Sequence, residues 1–431
     1  MPDQFIPEIK NPYRFWQRVC LIYQGFFSIV ATGQKQIILA LVLPEILTEL
    51  DQNRRICERY AMNQHPTSFL EVSFLPWIEV ITPLTVGPVE FWPFPAEAKE
   101  RIKDQKIRNH LAKCLRSYVD YDGHPLQTLA VCSYGNIDFR ILSTQEKQDL
   151  RRTVDALLFA HIAPRTKAAV CANNSTMGPA SSNVFELMTQ NFQLDSDDIA
   201  VRAGSVLSGG WKIGNIVFPK PWATGGMLGT PESELLEGLG KCLSPQFSSD
   251  VRERIFRSLE WFRMAHIDGD EVSTLSKMVM MATAFEIFLQ FPRIGKRRHF
   301  VNFMETRIAS SEFNKDVRTN ENGKTFNLSL AGCWAWDFYE LRSRIVHGDQ
   351  VAYGELRYRN WLTHLIVADL VFLECLKREL FDQQFIGDDV RNSAKDWDNA
   401  VPEGVPSTST EQLARWFLGF DDVHEALGWL P

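Results

Sequence analysis

The sequence predicts an α+β N-terminal domain followed by an all-α helical bundle. Three observations predict it. SFLEVSFLPWIEVITPL and GPVEFWPF are short, β-branched and aromatic-rich runs broken by proline, and helical runs surround them. From Pro245 to Leu380 the pattern is helical, with short connections. Beyond Gln383 the chain turns acidic, and VPEGVPSTST reads as a linker. The expected divisions are a mixed α/β domain over 1–245, a helical bundle over 246–382, and an acidic linker with a short docking helix over 383–431.

The elements follow in order. YRFWQRVCLIYQGFFSIV and the run from Gln34 to Met62 have helical texture, with Pro44 kinking or breaking the second. After the strands, AEAKERIKDQKIRNHLAKCLRSYV predicts a helix with a basic face. LQTLAVCSYGNIDFRIL predicts two short strands around Ser133–Asn136. QEKQDLRRTVDALLFAHI predicts a helix. The glycine-rich stretch 203–231 has neither a GxxxxGK[ST] nor a GxGxxG pattern, so it reads as a loop-rich edge or connection rather than a phosphate cradle.

In the bundle, Ile255, Leu259, Phe262 and His266 fall on one helical stripe. A Met-rich helix ending before Pro292, a helix opened by RIGKRRHF, the helix WAWDFYELRSRIVHG and a last one over ELRYRNWLTHLIVADLVFLECLKREL complete the set. In the tail, Thr408 and Glu411 have capping-box spacing. Trp416, Phe417, Phe420 and Trp429 make that segment adhesive, and its expected dock is the protein's own surface.

Composition narrows the function classes. Apolar content of 45% and charged content of 23% are those of an ordinary globular protein. MPDQFIPEIK lacks a secretion pattern, the longest apolar run is too short to span a bilayer, and none of the eight cysteines forms a CxxC pair. Reduced core thiols in a cytoplasmic protein with no membrane partner are expected. No HExxH or Cys/His cluster appears, so neither a metal nor another cofactor is expected. Net charge is −7, and residues 381–431, with 3 basic and 10 acidic groups, carry all of it. That balance argues against a general polyanion binder, while the middle of the chain remains locally compatible with one.

The stretch FYELRSRIVHGD places Arg342, Arg344 and His347 within six residues, with Gly348 after them. The spacing Arg-x-x-x-x-His alone is weak. Its context is an earlier apolar helix carrying AFEIFL, then the basic RIGKRRHF. Together they resemble HEPN domains, most closely the ApeA-like HEPN branch, over about residues 250–380. The resemblance implies a metal-independent endoribonuclease, in which the ribose 2′-hydroxyl attacks its own phosphate. His347 would act as general acid or base and Arg342 would hold the scissile phosphate, with Ser343 in the often polar position after the arginine. It also implies a homodimer with facing motifs, and a place in prokaryotic anti-phage defence or a toxin system. The N-terminal domain would then take a trigger ligand or protein, or select the RNA, which includes tRNA among its candidates.

Side-chain chemistry suits those roles. Imidazole moves protons both ways near neutrality. Arginine stays charged and grips phosphate bidentately. Gly348 suits a helix C-terminus, which puts His347 in the last turn, where the helix dipole favours a positive ring. Five residues turn a helix through about 140°, so Arg342 and His347 do not share a face, whereas Arg344 and His347 do. Glu286, in an apolar helix, needs a basic partner such as Arg342 or Arg344 and reads first as a structural ion pair. Arg293, Lys296, Arg297 and Arg298, beside His299, form the densest basic cluster and are candidates for RNA phosphates. A solvated helix start explains that cluster equally well. The alternative function is a non-catalytic HEPN module that binds RNA or a protein. Charge asymmetry adds one further expectation, that the acidic tail covers the basic site.

Overall fold

The computed structural model describes residues 70–135, 139–175, 181–194, 198–203, 206–221, 231–244, 248–269, 272–320, 322–388 and 417–431, with 392 and 415. The chain divides into two compact units, Met1–Ser68 and Phe69–Pro431, and the described residues belong to the second. The two helices expected before residue 62, Trp416 and the Thr408–Glu411 cap lie outside them.

The first half is built from β1 (Leu70–Leu75), β2 (Leu84–Val86), β3 (Val89–Phe94), α1 (Ala98–Arg101), α2 (Gln105–Leu115), β4 (Tyr118–Val119), β5 (Leu129–Tyr134), α3 (Thr144–Cys171), β6 (Met188–Phe192), β7 (Asp198–Ala203), β8 (Val206–Lys212) and β9 (Phe218–Pro219). Seven strands form one sheet in the order β2-β3-β5-β1-β6-β7-β8, antiparallel throughout. β1 and β5 are buried at nearly every position, so both faces of the sheet's centre are covered. Pro93 is tolerated in β3 because the short β2 pairs no further than Phe91.

Two expectations are corrected here. Among its described residues LQTLAVCSYGNIDFRIL supplies one strand, β5, which pairs with the distant β1 and β3. The basic helix is two helices, because Ile102 turns extended and Asp104 opens α2 by accepting the Lys106 amide. The glycine-rich stretch, read as a loop-rich edge or connection, holds β8 at the edge of the sheet.

α3 starts on a clear signal: Ser143 and Glu146 form a reciprocal capping box. Its middle, Thr153 to Ala160, is buried on all sides, as in a central helix. Asp155 pairs with Arg263 at 2.7 Å and Arg152 with Glu253 at 2.6 Å. A helix from the sheet-bearing half is thereby tied to the helical half, and the apolar core runs through both.

The helical part comprises α4 (Ser233–Cys242), α5 (Ser249–Ala265), α6 (Thr274–Phe288), α7 (Lys296–Phe303), α8 (Leu330–His347), α9 (His364–Asp382) and α10 (Asp421–Ala426). The chain is thus α+β with a helical C-terminal part. The stripe Ile255, Leu259, Phe262 and His266 is buried as its spacing predicts. Phe285 of α6 lies within 6.5 Å of the Phe300, Trp334, Phe338 and Phe372 rings, one contact from each of three neighbouring helices and a second from α8. Two features depart from the expected bundle. A hairpin of β10 (Lys315–Thr319) and β11 (Thr325–Ser329) projects between α7 and α8. The last long helix begins only at His364, where Thr363 caps it, after a small hairpin of β12 (Arg357–Arg359) and β13 (Leu362–Thr363).

Five of the described cysteines are buried and Cys171 is exposed. Burial pushes the Cys114 thiol up to about 12, which leaves it an inert core group. No helix among the described residues is long and apolar enough to cross a membrane.

The end of the chain docks on its own body. Trp429 is fully buried and its indole donates to Tyr358 Oη, while the Asn314 amide donates to the Trp429 carbonyl. Beneath it, buried Glu374 accepts from Arg378 at 2.9 Å and from His424 Nε2 at 2.8 Å. Burial works against ionisation of Glu374, but the bonds from His424 and Arg378 outweigh it and hold the carboxyl below its ordinary range. A depressed folded-state value contributes stability above the unfolded value, and that stability is lost as pH falls through the folded one. Glu374→Gln is therefore expected to cost about 2 kcal/mol at neutral pH. The gap to wild type should close as the pH falls through and below the ordinary carboxylate range. Denaturation midpoints across that range check it; a gap that widens in acid contradicts it.

Candidate functional site

The candidate site lies where α6 ends, α7 begins and α8 runs past both. α8 is a good helix because Ser329 caps its start by accepting the Gly332 amide, and Gly348 stops it. Gly348 has φ +83°, its amide bonds the Ile345 carbonyl, and the Asp349 amide bonds the Arg344 carbonyl. That is a Schellman ending, and it fixes His347 as the last helical residue, exposed to solvent.

Glu286 is the hub. Its Oε1 accepts from Tyr339 Oη at 2.6 Å and pairs with Arg342 Nη2 at 2.9 Å, and its Oε2 accepts from Lys296 Nζ at 2.5 Å. One carboxylate from α6 thus gathers two cations and a phenol from α7 and α8. Arg342 also lies 5.5 Å from the Tyr339 ring centroid, a cation–π contact within one helical turn. Burial, reinforced by the neighbouring carboxylate, pushes the Tyr339 phenol well up, so it stays a donor. Arg342 Nε is out of contact with solvent and has no hydrogen-bond partner.

Not every candidate joins this cluster. Arg344 turns the other way, to Glu355 and, at 2.9 Å, to the Gln350 carbonyl. Ser343 is half-buried. No hydrogen bond joins His347 to Arg342 among the described residues, as the 140° turn between them requires. Arg297 pairs with Glu340 and stacks 4.3 Å over Trp336, while Arg293 and Arg298 are exposed and make no ion pair among the described residues. The described residues of the acidic tail contact Lys167, Asn314, Tyr358 and Glu374 instead of this cluster.

Tyr339, Trp336 and Glu340 are missing from the sequence candidates. The i,i+3 spacing of Tyr339 and Arg342 and the i,i+4 spacing of Trp336 and Glu340 were the available signals. Asp120, Asp122 and His124 also bring ligand atoms within 4.8 Å of one another on the loop after β4. The Asp120 carboxylate accepts the Asp122 and His124 amides, which is what its turn requires.

No family model, curated protein or solved structure matches the chain.

Proposed function

We propose that the chain is a metal-independent endoribonuclease of the HEPN type, with Arg342 and His347 as its working pair. One observation carries the reading. Arg342 is held by Glu286 and the Tyr339 ring, five residues before an exposed histidine that ends its helix. A guanidinium fixed in place by a carboxylate and a ring is a positioned charge of the kind that suits a phosphate.

In this reading the ribose 2′-oxygen attacks the adjacent phosphorus, and the bond from phosphorus to the 5′-oxygen breaks. The products are a 2′,3′-cyclic phosphate and a free 5′-hydroxyl. His347 moves the proton, and Arg342 offsets the charge that builds on phosphorus. Glu286 positions Arg342. Lys296, Arg293 and Arg298 extend the positive field along the strand. Because Arg342 and His347 point apart, a second copy completes each site, which makes the homodimer part of the proposal. A cytoplasmic role in phage defence or as a toxin, switched by a trigger at the N-terminal part, accords with this chemistry.

A second reading has its own support. Glu286 occupies Arg342 Nη2, and both side chains are mostly buried, Arg342 at 19% and Glu286 at 13% exposure, so the pair also serves as a bundle cross-link in a non-catalytic RNA- or protein-binding module. Incubating total RNA, tRNA included, with the full-length chain in EDTA separates the two. Fragments from wild type and none from Arg342→Ala are expected. Equal cutting by both would place the chemistry elsewhere, and intact RNA in every lane with retained binding would favour the module.

A further inference from the structure

A surface beside the Arg342 cluster is built from two adjoining rings with a cation over each. Lys324, at the start of the strand side of the β10–β11 hairpin, places its Nζ 5.3 Å from the Phe326 ring centroid. Phe326 lies 5.4 Å from Trp336 of α8, tilted by 42°. Arg297 of α7 covers Trp336 at 4.3 Å. The order across the surface is therefore Lys324, Phe326, Trp336, Arg297, and Lys296 leads on to Glu286 and Arg342. Both rings are half-buried, so each is anchored on the core and keeps an accessible part. Trp336, Tyr339 and Arg342 recur at three-residue intervals along α8, which carries the line toward Arg342 over about 9 Å. That is the length of a few nucleotides of stacked strand at about 3.4 Å each.

We propose that the hairpin, α7 and α8 form a track for single-stranded RNA leading to Arg342. Two adjoining aromatic rings flanked by cations match a strand that carries π faces on one side and phosphates beside them. An acidic peptide would use the cations and leave the rings idle. A duplex hides its base faces from such rings. When a base stacks on Phe326, Lys324 is displaced from the ring toward the adjoining phosphate. The hairpin is then the substrate-gripping addition to the helical part. The inference rests on the ribonuclease reading for the choice of RNA, but its test does not require cleavage.

The test is fluorescence anisotropy with the full-length protein and a labelled 2′-O-methyl oligouridylate, which has no free 2′-hydroxyl and stays whole. Lys324→Ala combined with Phe326→Leu keeps an apolar side chain at 326 and removes a ring and a charge. It is expected to weaken binding about tenfold or more, since one base stack contributes about 1–3 kcal/mol. Lys324→Glu, at an exposed position, repeats the test without touching the core, with a smaller weakening expected. Unchanged affinity in both variants overturns the track, as does displacement of the oligonucleotide by poly-glutamate as readily as by unlabelled RNA. Weakened binding in a protein that cuts no RNA supports the track and removes the nuclease reading. RNA cut normally by both variants, with affinity unchanged, does the reverse.

Discussion

Asp369→Ala is expected to lower the stability of the fold by about 3–5 kcal/mol. Asp369 and His266 are both buried, on different helical elements, with Asp369 Oδ2 3.0 Å from His266 Nε2. The other ring nitrogen, Nδ1, lies 2.7 Å from the Phe262 carbonyl oxygen, which only accepts, so Nδ1 carries a hydrogen. One further proton therefore lies between Nε2 and Oδ2. Whichever atom holds it, the pair is neutral as a whole. This is why it sits in the core between α5 and α9 without a third charge bonded to it. Removing the carboxyl leaves a buried ring nitrogen unpaired and opens a cavity, and both terms destabilise. Asp369→Asn should cost far less, about 1 kcal/mol, because its amide can donate to Nε2 of the neutral ring. Urea midpoints of the three proteins check this. Equal losses from alanine and asparagine would show that the hydrogen bond contributes little.

His347→Ala is expected to lower the rate of RNA cleavage by about 10²–10⁴-fold, the usual contribution of a positioned general acid or base. Its effect on stability should be small, within about 0.5 kcal/mol, because the side chain is exposed at the end of α8. That contrast separates it from Arg342→Ala, which also strips Glu286 of a partner and so disturbs the bundle. Cleavage rates measured beside melting curves give both numbers. A His347→Ala protein that cuts at the wild-type rate would leave the histidine a mere helix end.

How much of this was legible in the sequence depended on range. The end of α8 was readable because a glycine cap is a local device: Gly348 needs only its own φ and two backbone bonds. The buried stripe of α5 was readable because helical periodicity is local too. The basic partner that Glu286 needed could be stated, but not which one, because Arg342 and Arg344 differ by the direction they face on a helix whose neighbours were unknown. Sheet order was out of reach, since β5 joins β1 and β3 through pairings with distant residues. α3 read as a helix, yet nothing local said that Asp155 would meet Arg263 across the apparent domain division. The β10–β11 hairpin did carry a signal, the Asn322–Gly323 turn, but its strands are mostly exposed and lack a clean apolar alternation.

In the proposed reaction the 2′-hydroxyl is the nucleophile and no metal takes part. The most direct measurement uses an RNA oligonucleotide that the wild-type protein cuts in EDTA, resynthesised with a single 2′-deoxy sugar at the cleavage site. The account predicts no cut at that position and, from the unmodified RNA, a product ending in a 2′,3′-cyclic phosphate. Cleavage of the deoxy-substituted strand at the same bond would contradict it.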